Sequence, residues 1–265
     1  MHQVLEGAFS TGVPYLRAGE GPPLLMASGL TSEHANPTGR WRNRAMSYVA
    51  PFAEQFTVYL ANRRPGLPEG ASISDIAADY AAAIEDELGG SAAVHGTSTG
   101  GSLALQLAAD SPELVRRLVV SAAACRLSDE GRRVQTEMAR LTAAGDHRGV
   151  GALLLGSMAP AALALPARGV GWLAGGLFAT DDPSDSLVVL AAEDAFDIEP
   201  ELGRITAPTL VLGGSTDPFY SEDLFRRTAA AIPDGRAVIF PGKSHPYVAG
   251  SKVPAMVALG FLLGS

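Results

Sequence analysis

Six short, unbroken apolar runs, each separated from the next by a longer segment, constrain this chain more than any other feature. They lie at 24–27, 56–61, 92–95, 118–121, 209–212 and 237–240. Runs this short, apolar at successive rather than alternate positions, fit strands covered on both faces. Helical patterns fall between them at 45–52, 75–88, 99–109, 222–231 and 253–263, the second opened by the capping signal Ser72-Ile73-Ser74-Asp75. Strands that alternate with helices give an α/β fold: a mostly parallel twisted sheet with helices on both faces. The start differs, because 4–10 and 13–18 alternate polar with apolar around the turn Thr11-Gly12, so the chain is expected to open with an antiparallel hairpin.

The alternation stops between Cys125 and Ser186, where 129–144, 150–158 and 170–178 read as consecutive helices with no strand. An inserted helical segment over 127–185 is therefore expected above one edge of the sheet, dividing the core into 1–126 and 186–265. A length of 265 residues suits one domain carrying such an insertion, and 47% hydrophobic residues supply a large core. The apolar stretch 149–180 is broken by Pro160, Pro166 and Arg168, so it reads as buried or pocket-lining helix rather than a membrane span. A net charge of -8 without clustered lysine or arginine argues against nucleic acid as a partner. The single cysteine, Cys125, excludes an internal disulfide and a cysteine-type zinc site, and reads as a small buried hydrophobe. With no signal-like pattern in Met1-His2-Gln3-Val4-Leu5-Glu6, a cytoplasmic setting is expected. No ligand spacing for a metal and no phosphate-binding glycine loop with lysine is present, so neither metal nor cofactor is expected.

The segment that carries chemistry is Ala92-Ala93-Val94-His95-Gly96-Thr97-Ser98-Thr99-Gly100-Gly101, an apolar strand that runs through Gly-x-Ser-x-Gly into a helix. In a chain with 30 glycines the five-residue pattern alone arises readily by chance; the strand before it and the helix after it give it meaning. A serine on so sharp a turn needs small neighbours, which Gly96 and Gly100 provide, and the helix behind it aims free N–H groups and a positive dipole end at the hydroxyl. A serine hydroxyl also needs a base, and the base needs an orienting acid. Of five histidines, His2, His34, His95 and His147 lie at a terminus, in a long loop, in a strand and in the insertion; His245 follows the last strand in Pro241-Gly242-Lys243-Ser244-His245-Pro246. Asp217 follows the strand at 209–212, in Gly213-Gly214-Ser215-Thr216-Asp217-Pro218, and so leaves the sheet at the same edge. The backbone N–H groups of Thr99 and Leu30, the latter in Ser28-Gly29-Leu30-Thr31, are the expected oxyanion donors. Met158, Trp172 and Phe178 are expected to line a substrate pocket beneath the inserted helices.

The chain order serine, acid, histidine on a parallel sheet resembles the α/β-hydrolase family over nearly the whole length. The shared features are Ala18-Gly19-Glu20-Gly21-Pro22-Pro23 after the hairpin, the elbow at 96–101, the run 207–213 leading to Asp217, and the Pro-Gly-Lys-Ser-His tail at 241–245. The resemblance implies a serine hydrolase with a helical lid at 127–185. Ser28-Gly29 stands where many members carry His-Gly, and Ala61-Asn62-Arg63-Arg64-Pro65-Gly66 stands where many carry Asp-x-x-Gly-x-Gly. Ser98 sets the chain apart from the epoxide hydrolases and haloalkane dehalogenases, whose nucleophile is aspartate. Hydroxynitrile lyases of this fold use a lysine near the lid, whereas the lysines here are Lys243 and Lys252, both outside it. The expected activity is cleavage of a carboxylic ester or lactone of a largely apolar small molecule. A carbon–carbon hydrolase or thioesterase would use the same triad, and a ligand receptor could retain the site in vestigial form. A lid this apolar can also mediate a homodimer.

Overall fold

Strands covered on both faces must send alternate side chains into two cores, and the sheet does so. In the computed structural model, which describes residues 3–264, β3 (Pro23–Ala27) places Leu25 and Ala27 in one apolar cluster and Leu24 and Met26 in another. The other strands are β1 (Leu5–Ala8), β2 (Pro14–Ala18), β4 (Thr57–Ala61), β5 (Ala92–Thr97), β6 (Val115–Ser121), β7 (Thr209–Gly214) and β8 (Gly235–Phe240). They form one eight-stranded sheet in the order β1-β2-β4-β3-β5-β6-β7-β8. The β1–β2 and β2–β4 pairs are antiparallel and the rest parallel, as the opening hairpin and the later apolar runs imply.

One face is covered by α2 (Ile73–Glu87), α3 (Thr99–Asp110) and α8 (Glu222–Ala231), through residues such as Ile76, Tyr80, Leu103 and Phe225. The other is covered by α1 (Gly39–Ala53) and α10 (Lys252–Leu263), through Val49, Phe52, Ala258 and Leu259, with the short α9 (His245–Gly250) adding Val248. The Ser72 signal forms a full capping box: the Ser72 hydroxyl accepts from Asp75 N–H while the Asp75 carboxylate accepts from Ser72 N–H. Helix α1 begins at Gly39, upstream of the expected 45, because its first turns are mostly exposed and, apart from Trp41, carry no large apolar residue from which to read a period.

Between β6 and β7 run α4 (Asp129–Ala143), α5 (His147–Met158), α6 (Ala164–Leu173) and α7 (Ser184–Ala195), with 3-10 turns at Ala161–Leu163, Gly175–Phe178 and Glu199–Arg204. The helical run thus continues past 185, and the expected boundary there falls inside α7. Helices α4, α5 and α7 share a small apolar cluster of Met138, Leu141, Val150 and Leu190. Among the described residues no helix is long and apolar enough to cross a membrane.

Candidate active site

At the carboxyl end of β5 the chain turns through Ser98 with φ 54° and ψ -128°, a left-handed conformation that L side chains rarely adopt. Two glycines make the turn sterically possible. A Cβ at Gly96 would collide with the Gly100 carbonyl, and one at Gly100 would collide with the Ala27 carbonyl of β3. Ser98 N–H donates to Ser121 O at 2.9 Å, which fastens the turn to β6. Helix α3 starts at the next residue, so its unpaired N–H groups and positive dipole end face the serine.

Asp217 and His245 arrive at the same edge from β7 and β8. Their loops are held together by Thr216 N–H to Lys243 O (3.1 Å) and Gly242 N–H to Ser215 Oγ (2.8 Å); a Cβ at Gly214 would collide with Lys243 O. His245 Nδ1 lies 2.8 Å from Asp217 Oδ2, and His245 Nε2 lies 3.0 Å from Ser98 Oγ. A carboxylate can only accept, so Nδ1 carries the proton and Nε2 is free to accept from the serine hydroxyl. The Asp217 side chain is fully buried, and its other oxygen accepts from Phe219 N–H (2.9 Å) and Tyr220 N–H (3.3 Å). The imidazole is held edge-on to Phe219 and parallel to Tyr220, with ring centroids 4.9 Å and 6.3 Å away. The structure therefore brings together the three residues singled out in the sequence.

The segment Ser28–Thr31 follows β3 and passes beside the nucleophile: a Cβ on Gly29 would sit 3.3 Å from Ser98 Cβ and 4.0 Å from Ser98 Oγ. Leu30 and Thr99 border the same cavity as Ser98 and His245. Two buried charged residues behind the site carry no signal in the sequence. Arg63, in the loop after β4, is fully buried. Glu193, on α7, accepts from Ser102 Oγ (2.5 Å) and Tyr220 OH (3.1 Å), and burial pushes its carboxyl above the usual carboxylate range. Their neighbours in the chain, Arg64 and Asp194, are partly exposed, so only the three-dimensional structure separates the members of each pair.

The cavity over Ser98 has a volume of about 320 Å3, small for a ligand pocket. Met138 of α4, Leu154 and Met158 of α5 and Leu190 of α7 line it with apolar side chains, together with Phe219 and Tyr220. No aspartate, glutamate, lysine or arginine lines it among the described residues. Met158 thus lies where the sequence placed it, but Trp172 does not. Its helix meets α5 glycine against glycine, a Cβ at Gly171 colliding with the Gly151 carbonyl, and the adjacent indole turns outward. Trp172 is 47% exposed, with the Arg148 guanidinium 4.4 Å from its ring centroid. The side chain of Phe178, the third expected lining residue, lies outside those described. A larger cleft, about 1300 Å3, opens between α1 and α10 and shares the Ser28–Ser32 segment as a wall, but Ser98 and His245 do not line it.

Solved structures share this architecture from end to end. The enol-lactonase from Burkholderia xenovorans LB400 is 21% identical and superposes with a TM-score of 0.79, over 98% of this chain and 100% of that one. A hydrolase from Pseudomonas aeruginosa PA01 is 22% identical, with a TM-score of 0.77 over 99% of each chain. A thermophilic esterase from Thermogutta terrifontis is 18% identical, with a TM-score of 0.72 over 98% of each. No curated protein matches the sequence. Residues 24–258 match the profile of the Alpha/beta hydrolase family, and with the fold in agreement the chain belongs to that family.

Proposed function

We propose that the chain hydrolyses a carboxylic ester or lactone of a small, uncharged, largely apolar molecule through an acyl-Ser98 intermediate. The observation that carries this reading is the continuous Ser98–His245–Asp217 hydrogen-bond relay, 3.0 Å and 2.8 Å long, opening into an apolar cavity. Ser98 Oγ attacks the substrate carbonyl as its proton passes to His245 Nε2, and Asp217 stabilises the resulting imidazolium. The carbonyl oxygen becomes an oxyanion facing the N–H groups of Leu30 and Thr99, each donor contributing on the order of 3 kcal/mol to the barrier reduction. Collapse breaks the bond to the alkoxy oxygen, which leaves with the proton from His245. A water then attacks the acyl carbon, gives its proton to His245 and releases the acid, and the proton returns to Ser98. In a lactone the alcohol and acid remain in one molecule.

The helices between β6 and β7 serve as the lid, with Leu154, Met158 and Leu190 against the acyl or ring portion of the substrate. Burying a carboxylate substrate without a cation to pair it costs several kcal/mol, and no cation lines the cavity among the described residues. Neutral substrates are therefore favoured over acids. Carbon–carbon and thioester cleavage would use the same relay, and the chemistry of the pocket separates them only through substrate shape.

A panel of neutral p-nitrophenyl esters, lactones, thioesters and diketones, each set beside an analogue carrying a carboxylate, tests the reading. Neutral short-chain esters or lactones are expected to turn over fastest, the carboxylate analogues at least about tenfold more slowly in kcat/KM, and Ser98→Ala not at all. Undiminished turnover in Ser98→Ala would overturn the mechanism. Preference for diketones over every ester would overturn the substrate class, and stoichiometric binding without turnover would point to the receptor instead.

A further inference from the structure

We infer that Arg63 is a positioning residue of the oxyanion site: its guanidinium clamps the Gly29–Leu30 peptide so that Leu30 N–H faces the reacting carbonyl. The inference rests on the acyl-serine reading above and names what holds one of its parts in place.

Arg63 follows β4, is fully buried, and among the described residues makes no hydrogen bond to a carboxylate. Its Nη1 donates to Ser28 O and Gly29 O, both at 3.1 Å, and its Nη2 donates to Gly29 O at 3.1 Å and to Thr31 Oγ1 at 2.9 Å. Its Nε donates to His34 Nε2 at 3.2 Å, while His34 Nδ1 lies 3.0 Å from Arg64 O. His34 can accept because it is neutral: burial and the adjacent Arg63 charge push its pKa down to about 4. A cation surrounded by neutral acceptors is an expensive way to tie down a loop, since no direct ion pair among the described residues offsets its desolvation. What the arrangement provides is direction. Four of these N–H contacts converge on Ser28, Gly29 and Thr31, around the peptide that passes the nucleophile.

A trans peptide is planar, with its carbonyl and the following N–H pointing opposite ways, and no cis bond is present among the described residues. With Gly29 O fixed on the guanidinium, Leu30 N–H must point away from it. That N–H has no acceptor among the described residues, Leu30 borders the cavity with Ser98, and Gly29 packs against Ser98. The clamp also polarises the same peptide. Two charge-assisted bonds to its oxygen make its N–H a stronger donor, in a chain of bonds that ends on the substrate oxyanion. Without Arg63 the segment would keep Ser28 N–H to Ala61 O, Thr31 Oγ1 to Glu33 O, and Ser186 Oγ to Ser32 O, none of which fixes the Gly29–Leu30 plane.

The test compares wild type with Arg63→Met and Arg63→Lys, active sites counted by fluorophosphonate titration, using a neutral p-nitrophenyl ester and a boronic acid that forms a tetrahedral adduct on the serine. Both variants are expected to lose about 30- to 300-fold in kcat per titrated site, the scale of one oxyanion donor, while KM stays within about threefold. Boronate affinity is expected to fall by a similar factor, and affinity for the non-covalent product acid to stay unchanged. A purely structural role would lower the titratable fraction and leave kcat per site and boronate affinity intact, and that result overturns the inference. So does wild-type kcat in Arg63→Lys, which keeps the charge and loses the fork. Should neither variant fold, the wild-type chain still decides: its Leu30 amide proton is expected to move downfield in nitrogen-15 correlated NMR when the boronate binds, and an unmoved signal overturns the inference. Wild type that neither cleaves an ester nor forms the boronate adduct would instead refute the acyl-serine reading itself.

Discussion

Replacing Ser98 by glycine is expected to leave a more stable protein than replacing it by alanine, the reverse of the usual order. Both substitutions remove the hydroxyl and its 3.0 Å bond to His245, so that loss cancels in the comparison. Alanine ordinarily holds an advantage of about 0.5–1 kcal/mol because glycine gives the unfolded chain more freedom. At φ 54° and ψ -128°, however, a residue with a Cβ carries a strain of about 1–3 kcal/mol that glycine does not. Subtracting one from the other leaves glycine ahead by about 1 kcal/mol at the middle of the two ranges, and by about 0–2.5 kcal/mol at their extremes. For a chain of this size about 1 kcal/mol corresponds to a Tm higher by about 2 °C. Urea melts of the two variants, read by circular dichroism and checked for equal slopes, supply the difference. An alanine variant more stable than the glycine variant would refute the claim that the elbow stores strain.

Other consequences follow from the same geometry. Asp217→Asn can donate an amide proton to His245 Nδ1 and so favour the tautomer whose Nε2 cannot accept from Ser98; kcat is expected to fall on the order of 10^3- to 10^4-fold with melting unchanged to within a few degrees. His95 is fully buried, and burial lowers its pKa to about 4, so between pH 6.5 and 4 the unfolded chain takes up a proton that the folded chain refuses. The stability this residue contributes is therefore complete above about pH 6.5 and falls toward pH 4 by roughly 3 kcal/mol; His34, also lowered to about 4, adds to the decline, and His95→Gln should make it shallower in urea melts at pH 7 and pH 4.5. Leu154→Trp fills part of the cavity and is expected to cut kcat/KM for bulky esters at least about tenfold, whereas Trp172→Ala, on the outer surface, should stay within about twofold of wild type.

The parts of this structure that could be read in advance are those where one local pattern has one physical cause. Apolar runs such as the one at 209–212 became buried parallel strands because only a two-sided core explains successive apolar positions. The elbow was legible because Gly96 and Gly100, which close contacts with the Gly100 and Ala27 carbonyls require, both lie within two residues of the serine, and Asp217 and His245 because each follows a central strand. The beginning of β6 was hidden by Arg116 and Arg117 at the strand's outer end, the first exposed and the second half-buried with its guanidinium over the Phe261 ring of α10. Helix α7 escaped notice because Leu187, Val188, Val189, Leu190, Ala191 and Ala192 form an apolar run rather than a helical stripe. Trp172 was misplaced because composition tells that a helix is apolar and not which side it turns inward; the glycine contact with α5 decides that. Arg63 was beyond reach for a related reason. Two adjacent arginines look alike in sequence, yet one bonds Asp79 at the surface and the other is sealed behind the Ser28–Thr31 segment.

The central claim is that Ser98 becomes acylated during turnover, and trapping the intermediate tests it most directly. Wild-type protein would be mixed with p-nitrophenyl acetate, quenched in acid on the millisecond scale, digested and sequenced by mass spectrometry. The account requires an acetyl group on Ser98 within the peptide that contains Gly96-Thr97-Ser98-Thr99-Gly100, decaying at the rate of turnover. Acetyl found on another residue, or steady ester cleavage with Ser98 unmodified at every time point under conditions where acylation is not the slow step, would contradict it.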